Sequence, residues 1–367
     1  MKIICAKNDL QKSINISMRS VPVHTTMPIL ECIMINARKG VIRFTTNDTE
    51  LGIETIVPGT IAEEGSVAVN ARMLFEIIRR LPDDDVIFEV DVNKSIRIVC
   101  GKSHFNLAGM SGHDFTYLPE IEKEDCISIS QFSLKEVIRQ TIFSIAPNEN
   151  NKIMTGELFR IRGDGFQIVS LDGHRISIRN TRLRDIYSNK KVIVPGKSLI
   201  EISKILSDSI DDMVGIYFSD NHIVFEMENT TVVSRLIEGE YFKIDSMLSS
   251  DYETKIRVNR KELISCIDRS TLFVKENDKK PIIFDIKDGY MKLFIESTIG
   301  SMEEDIDIDK EGKDMMIGFN PKFLLDALRV IDEETVTLYM VNPKAPCFIR
   351  NEEEDYIYII LPVNFIR

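Results

Sequence analysis

Three stretches decide the fold: VAVNARMLFEIIRRL at Val67–Leu81, VIVPGKSLIEISKIL at Val192–Leu206 and IGFNPKFLLDALRVI at Ile317–Ile331 align without gaps at steps of 125 residues. Arg72, Lys197 and Lys322 share a column, as do Leu74, Leu199 and Leu324, and Glu76, Glu201 and Asp326. Arg79, Lys204 and Arg329 share another, and Leu81, Leu206 and Ile331 close the pattern. At about 100° per residue, positions 72, 76 and 79 fall within about 60° of one another, while 74, 77, 78 and 81 gather opposite. Each copy therefore reads as an amphipathic helix with a charged outer stripe. An apolar alternating run precedes it (Val67, Val69; Val192, Val194), and an acidic turn follows (Asp83–Asp85; Asp208–Asp212; Asp332–Glu334).

Weaker helical patterns stand near the start of each third, at Asn8–Ser20, Gln131–Ile145 and Arg260–Phe273. Leu10 and Ile14 are echoed there by Leu134 and Ile138, then by Leu263 and Ile267. Between the helices lie strand-like runs such as Ile29–Ala37, Val41–Thr46, Leu51–Val57, Ser95–Cys100, Ile161–Ser170 and Tyr356–Leu361. With about three strands after each helix, every third reads as two copies of a β-α-β-β-β unit. The expectation is an α+β chain of three similar domains, 1–122, 126–248 and 252–367.

Of the 367 residues 43% are hydrophobic and 28% charged, which argues against collagen-like, disordered and membrane classes. The start, Met1–Asp9, lacks the apolar stretch of a secretory signal, and the six cysteines include no Cys-x-x-Cys pair. A cytoplasmic protein with reduced core thiols is expected. The net charge of −12 speaks against nucleic acid, but the charge is segregated. Taken as 7–20, 70–81, 130–145, 196–207, 259–273 and 319–331, the six helical segments hold 15 Lys or Arg against 7 Asp or Glu, so they carry +8 and the remainder −20. A basic surface built from helices is thus compatible with an acidic total. On the blander reading these cations are solvated and paired with Glu76, Glu201 and Asp326, yet solvated faces have no reason to keep register through three repeats. No Cys/His finger, helix-turn-helix or RNP-type aromatic run accompanies them, which suits phosphate contact alone.

From end to end the chain resembles the bacterial DNA polymerase III beta subunit family of sliding clamps. The likeness is carried by Met27-Pro28-Ile29-Leu30, Asp172-Gly173-His174-Arg175, Val192-Ile193-Val194-Pro195, Ser234–Gly239, Ile317-Gly318-Phe319-Asn320 and Tyr358–Val363, in this order and spacing. The resemblance implies three DNA-clamp domains with two helices each lining a ring, closed by a head-to-tail homodimer around duplex DNA. Its function would be processivity by topology, with weak, sequence-independent contacts that permit sliding. Arg19, Arg72, Arg79, Arg80, Lys135, Arg139, Lys197, Lys204, Lys322 and Arg329 are the residues expected to face DNA. His24 stands where the family often has a basic residue.

The same resemblance implies a hydrophobic groove for short peptides of polymerases, the clamp loader and repair proteins. Carried over, it comprises Met154, Leu171, Gly173, His174, Arg175, Ile176, Phe242, Met247, Ile359, Leu361, Pro362 and Val363. Where the family shows Phe-Pro-x-Tyr after the Gly239 turn, this chain has Tyr241-Phe242-Lys243-Ile244, and Asn364 follows Val363 where a basic residue is common. At the dimer interface Phe105 is expected against Leu272 and Phe273, with Lys102 near Glu303 and Glu304.

Enzymatic readings find little footing. No phosphate-cradling Gly-rich loop is present, so a separate loader is expected, and no cofactor is implied. Asp305, Asp307 and Asp309 mimic the start of a calcium loop, but Lys310 occupies the glycine place and Met316 that of the closing Glu. Arg162-Gly163-Asp164-Gly165 reads as a hairpin turn. The alternatives are a specialised clamp paralogue or non-DNA scaffold, and a metal-dependent hydrolase using Asp172 and His174, for which no third ligand is evident.

Overall fold

The computed structural model describes all residues except 113, 114, 116, 120, 122–125, 148–150, 275–279, 366 and 367. The domain ends expected at Glu122 and Arg367 lie outside the described residues. The first third runs β1 (Lys2–Ala6), α1 (Lys7–Ser17), β2 (Cys32–Arg38), β3 (Val41–Asn47), β4 (Leu51–Val57), β5 (Thr60–Glu63), β6 (Gly65–Asn70), α2 (Ala71–Arg80), β7 (Asp85–Val90), β8 (Ser95–Cys100) and β9 (Ser103–Ala108). The middle third runs β10 (Ile127–Ser130), α3 (Gln131–Arg139), β11 (Gly156–Leu171), β12 (Arg175–Pro195), α4 (Gly196–Ile205), β13 (Met213–Phe218), β14 (His222–Met227) and β15 (Thr230–Arg235). The last third runs β16 (Thr254–Asn259), α5 (Arg260–Ser270), β17 (Ile282–Ile286), β18 (Tyr290–Ser297), β19 (Gly300–Gly312), β20 (Met315–Phe319), α6 (Pro321–Val330), β21 (Thr335–Met340), β22 (Cys347–Arg350) and β23 (Tyr356–Ile360).

The last third is two β-α-β-β-β units in succession, and the first third adds only β5. In the middle third β11 and β12 each carry two pairing stretches. Residues 156–161 lie on 195–190, and residues 166–171 on 181–176. The ladder loses register at Arg162–Gly165, where Gly163 takes φ 63°, a left-handed value that favours glycine.

The six expected helices are present, three of them shorter than their apolar periodicity suggests. α1 gives way to a 3-10 turn at Met18–Ser20, α5 to one at Thr271–Phe273, and α3 ends at Arg139 before a turn at Ile142–Ser144. Hydroxyls explain the early stops. Ser17 Oγ donates to Ser13 O (2.9 Å), Thr141 Oγ1 to Val137 O (2.8 Å) and Ser270 Oγ to Ile267 O (2.6 Å), drawing on carbonyls of the last turn. The strand expected from Ile29 starts at Cys32 instead, because Pro28 opens a 3-10 turn through Glu31. Asn70, Asn259 and Asn320 cap α2, α5 and α6 by accepting the N–H of Met73, Glu262 and Lys322, each worth about 1 kcal/mol.

The chain packs as two compact units, Met1–Phe132 with Ile200–Leu236 and Ser133–Leu199 with Ile237–Arg367. Three tandem domains of like build are not three separate bodies, because their sheets run on from one third to the next. In the first unit β15 pairs with β4, from Thr230 on Thr55 to Ser234 on Leu51, within an eight-stranded sheet. In the second, β12 pairs with β23, from Arg175 on Ile360 to Arg179 on Tyr356, within a ten-stranded sheet. Ile3, Leu10, Ile14, Leu74, Ile78 and Phe88 are buried in the first unit's main core. Leu263, Ile267, Phe284, Phe319, Leu324 and Leu328 are buried in the second's. Each such side chain contributes about 1.5–3 kcal/mol.

Five of the six free thiols are buried, but Cys126, one residue before β10 begins, is exposed and corrects the expectation of six core thiols. Asp305, Asp307 and Asp309 alternate with buried Ile306 and Ile308 along β19, an extended acidic face rather than an ion-binding loop. Among the described residues no helix is long and apolar enough to cross a membrane.

Candidate functional site

The tightest convergence of expected site residues lies in the second unit, around the turn between β11 and β12. Asp172 Oδ1 accepts the backbone N–H of His174 (2.9 Å) and Arg175 (3.1 Å), and Oδ2 accepts Arg175 Nε (3.0 Å). Asp172 N–H also donates to Arg175 O (3.3 Å), so Gly173 and His174 form a two-residue hairpin loop whose first position favours a left-handed residue, and Gly173 supplies it at φ 88°. Leu361 N–H donates to His174 O (2.9 Å), which lays the end of β23 along the turn.

Beside it opens a cavity of about 270 Å³ lined by Met154, Leu171, Gly173, His174, Arg175, Ile176, Phe242, Met247, Pro346, Ile359 and Leu361. Most of this lining is apolar, with His174 and Arg175 as its polar fixings, a composition suited to seating apolar anchors in a fixed orientation. Pro346, in the loop before β22, was missed because nothing in its local sequence marks it. Pro362 and Val363 fall outside the lining. There the chain leaves the cavity for β20, where Val363 N–H donates to Gly318 O (2.8 Å). In the Tyr241–Ile244 segment, Tyr241 and Ile244 point inward at 2% exposure each, which leaves Phe242 for the cavity wall. Tyr241 is anchored by its hydroxyl on Val169 O (3.2 Å).

Arg175 is the best-connected side chain of this region. At 8% side-chain exposure it pairs with Asp172 and with Asp326 of α6 (2.6 Å), and it donates to the carbonyl of Phe143. Its guanidinium lies 4.5 Å from the Phe323 ring centroid, against which His174 also stacks at 6.1 Å. Asp172 is thereby committed to the turn. Among the described residues no group of three His, Cys, Asp or Glu side chains is placed to hold a metal.

The basic columns are solvent-facing but seldom idle. In the first unit, Arg79 and Arg80 both pair with Glu76, and Lys204 pairs with Glu201 (2.7 Å), which also meets Arg19 (3.6 Å). Burial would raise the Glu76 carboxyl, yet hydrogen bonds from Arg79 and Arg80 hold it below its usual range. Arg72 donates to Val23 O (2.9 Å) and Pro22 O (3.3 Å), so it braces the exposed loop that carries His24. In the second unit, Arg139 pairs with Glu136 (2.6 Å), Lys197 and Lys322 are exposed, and Lys135 is half-buried. Arg329 pairs with Asp268 of α5 (2.7 Å), not with Asp326. Exposed ion pairs of this kind are worth about 0–1 kcal/mol, so these cations can turn to another anion at little cost.

The expected interface residues lie on strand edges. β9 is the terminal strand of its five-stranded sheet, and Phe105 on it is half-buried against the first unit's core. On β19, Gly300–Asp307 pairs only with β18, whereas Ile308–Gly312 pairs with β16, so the first half leaves one edge uncovered among the described residues. Glu303 and Glu304 stand on that half, held within the chain by Lys292 and Arg269. Leu272, three residues after Arg269, is 74% exposed, Phe273 is half-buried, and Lys102 is exposed.

Family models described as the N-terminal, central and C-terminal domains of the DNA polymerase III beta subunit match residues 1–119, 128–243 and 245–364. The beta sliding clamp of Staphylococcus aureus is 32% identical over 362 residues, 96% of either chain. A crystal structure from Eubacterium rectale matches at TM-score 0.97 and 63% identity, and that of the Bacillus subtilis DNA polymerase sliding clamp at TM-score 0.97 and 32%. Both matches cover 100% of either chain.

Proposed function

The chain belongs to the DNA polymerase III beta subunit family, and from that premise we propose that it is a sliding clamp, a ring-shaped homodimer that encircles duplex DNA and tethers a replicative polymerase. The register shared by the two basic columns supports a sequence-independent electrostatic lining: Arg72, Lys197 and Lys322, then Arg79, Lys204 and Arg329, recur at one spacing. Arg19, Arg80, Lys135 and Arg139 extend it, and His24 adds a loop contact. Contacts of this kind are weak singly and fall steeply with salt, which suits a ring that must slide.

Ring closure is assigned to the two open edges. β9 of one protomer would pair with Gly300–Asp307 of the other, bringing Phe105 to Leu272 and Phe273, and Lys102 to Glu303 and Glu304. A heterologous contact of this type forms a closed dimer when the rotation is right. The cavity beside the Asp172–Arg175 turn would receive short, extended peptides from polymerase, clamp loader and repair proteins. Met154 and Met247, with several soft rotamers, let one groove accept varied anchors.

The observation that carries this reading is the joint presence of the repeated basic helices and the apolar groove in a family member. Retention on DNA tests it. The protein, loaded by a cognate loader, should stay on closed circular duplex and slide off linear duplex of the same length, with a solution mass of two chains. Equal loss from both forms refutes the ring.

A further inference from the structure

Asp326 stands between Lys322 and Arg329 along α6. At about 100° per residue it lies about 40° from Lys322 and about 60° from Arg329, at one edge of the basic stripe. In α2 and α4 the acid of the same column is answered from its own helix: Glu76 by Arg79 and Arg80, Glu201 by Lys204. α6 is built differently. Asp326 pairs with Arg175 (2.6 Å), a groove residue 151 positions earlier, while Arg329 turns to Asp268.

The same guanidinium holds the groove. It bonds Asp172 in the turn that presents Gly173 and His174, bonds the Phe143 carbonyl, and lies over Phe323 of α6. At 8% exposure it has little water to fall back on, so each partner it loses is felt by the others.

We propose that Arg175 and Asp326 form a positioning pair that links the peptide groove to the charge of the α6 stripe, so that duplex and peptide favour the same arrangement. The inference rests on the sliding-clamp reading above. Phosphates near Lys322 and Arg329 repel a carboxylate at 326 unless a cation answers it, so a bound duplex favours the intact pair. The intact pair also fixes the Asp172–Arg175 turn, whose residues line the cavity, so a seated peptide favours it too. By linkage each ligand then tightens the other.

Three variants test this, with folding checked by melting temperature and solution mass: Arg175→Gln, Asp326→Asn and the double substitution. Duplex affinity is read from the anisotropy of a short labelled duplex at low salt. Peptide affinity is read with a fluorescein-labelled pentapeptide ending in two leucines. Arg175→Gln should weaken duplex binding about three- to fivefold, the effect of one unanswered carboxylate on two neighbouring cations. Asp326→Asn should strengthen duplex binding, and adding it to Arg175→Gln should restore that binding. Asp326 does not line the cavity, yet Asp326→Asn should weaken the peptide about fivefold and abolish the tightening that duplex produces in the unaltered protein. A merely structural role would lower both affinities in all three variants, and that result overturns the proposal, as does an Asp326→Asn protein with unaltered peptide affinity. If the unaltered protein fails to bind duplex, the clamp reading itself falls.

Discussion

Glu157 offers the sharpest quantitative test of the packing behind the groove. It lies at 0% exposure at the start of β11, and neither carboxyl oxygen has a hydrogen-bond partner among the described residues. Burial pushes its pKa from 4.5 up to about 8, against a smaller downward pull from the nearby Thr141 hydroxyl. The folded state therefore holds this proton more tightly than the unfolded chain does. Its contribution to stability is complete below about 4.5 and is lost as pH rises to about 8. Within that window the slope is roughly 1.4 kcal/mol per pH unit, several kcal/mol in all. Glu157→Gln removes the titration at nearly constant shape, though its amide needs partners too, at a cost of about 1–3 kcal/mol. The informative quantity is hence the difference between the two proteins as a function of pH. The chain has no Trp, so denaturant unfolding is followed by far-UV circular dichroism in steps across the window. The variant should gain on the parent steadily as pH rises, then run parallel to it above the upper end. A difference that stays constant across the window refutes a neutral, buried Glu157.

Four other outcomes are expected. Arg79→Glu with Lys204→Glu should weaken duplex binding severalfold and flatten its salt dependence while leaving the dimer intact; unchanged duplex affinity would remove these residues from the DNA-facing surface. Leu361 is 41% exposed, so Leu361→Ala should cost under about 1 kcal/mol in stability yet about 1–2 kcal/mol in peptide binding, read by unfolding and by peptide titration. Burial raises Cys5 and Cys266 to about 12 and Cys32 to about 11, whereas Cys126 is exposed; a chromogenic thiol reagent should modify one thiol quickly in the native protein, and Cys126→Ser should remove that phase. A fragment spanning 126–248 should fail to fold cooperatively, as judged by a melting curve, because β15 loses β4 and β12 loses β23.

Two routes made parts of the candidate site legible: the family resemblance for the groove turn, and helical spacing for the basic columns. The Asp172-Gly173-His174-Arg175 turn needs a carboxylate that bonds backbone two and three residues on and a glycine at positive φ, so four consecutive residues specify its shape. Basic columns are equally readable, since helical spacing alone puts 72 and 79 on one stripe. Partners were not readable. Asp326 has cations three and four residues away in its own helix, so spacing favours pairing there, yet it is taken by Arg175. That outcome depends on how α6 sits against the β11–β12 turn, a tertiary relation with no sequence-local signal. Pro346 escaped notice for the same reason, and Glu157 lies four residues before the strand expected from Ile161, with no local signal of its burial.

The repeat pattern sets the internal build of each third, but only the strand edges determine what becomes a unit. A β-α-β-β-β copy ends on a strand whose outer edge carries unpaired N–H and C=O groups, and those edges must be covered, blunted or paired. β4 finds β15, and β23 finds β12, so two of the edges are satisfied by the neighbouring third. The middle third thereby lends one half to each unit. The same reasoning singles out the edges left over. β9 has six residues and the first half of β19 eight, and the alternation Ser103–Ala108 keeps Phe105 and Leu107 on one face. Phe105 and Leu107 pack on their own core, so what β9 offers outward is its backbone. Pairing through backbone would make closure depend on strand register more than on side-chain chemistry, which is consistent with Glu303 and Glu304 already having cations within the chain.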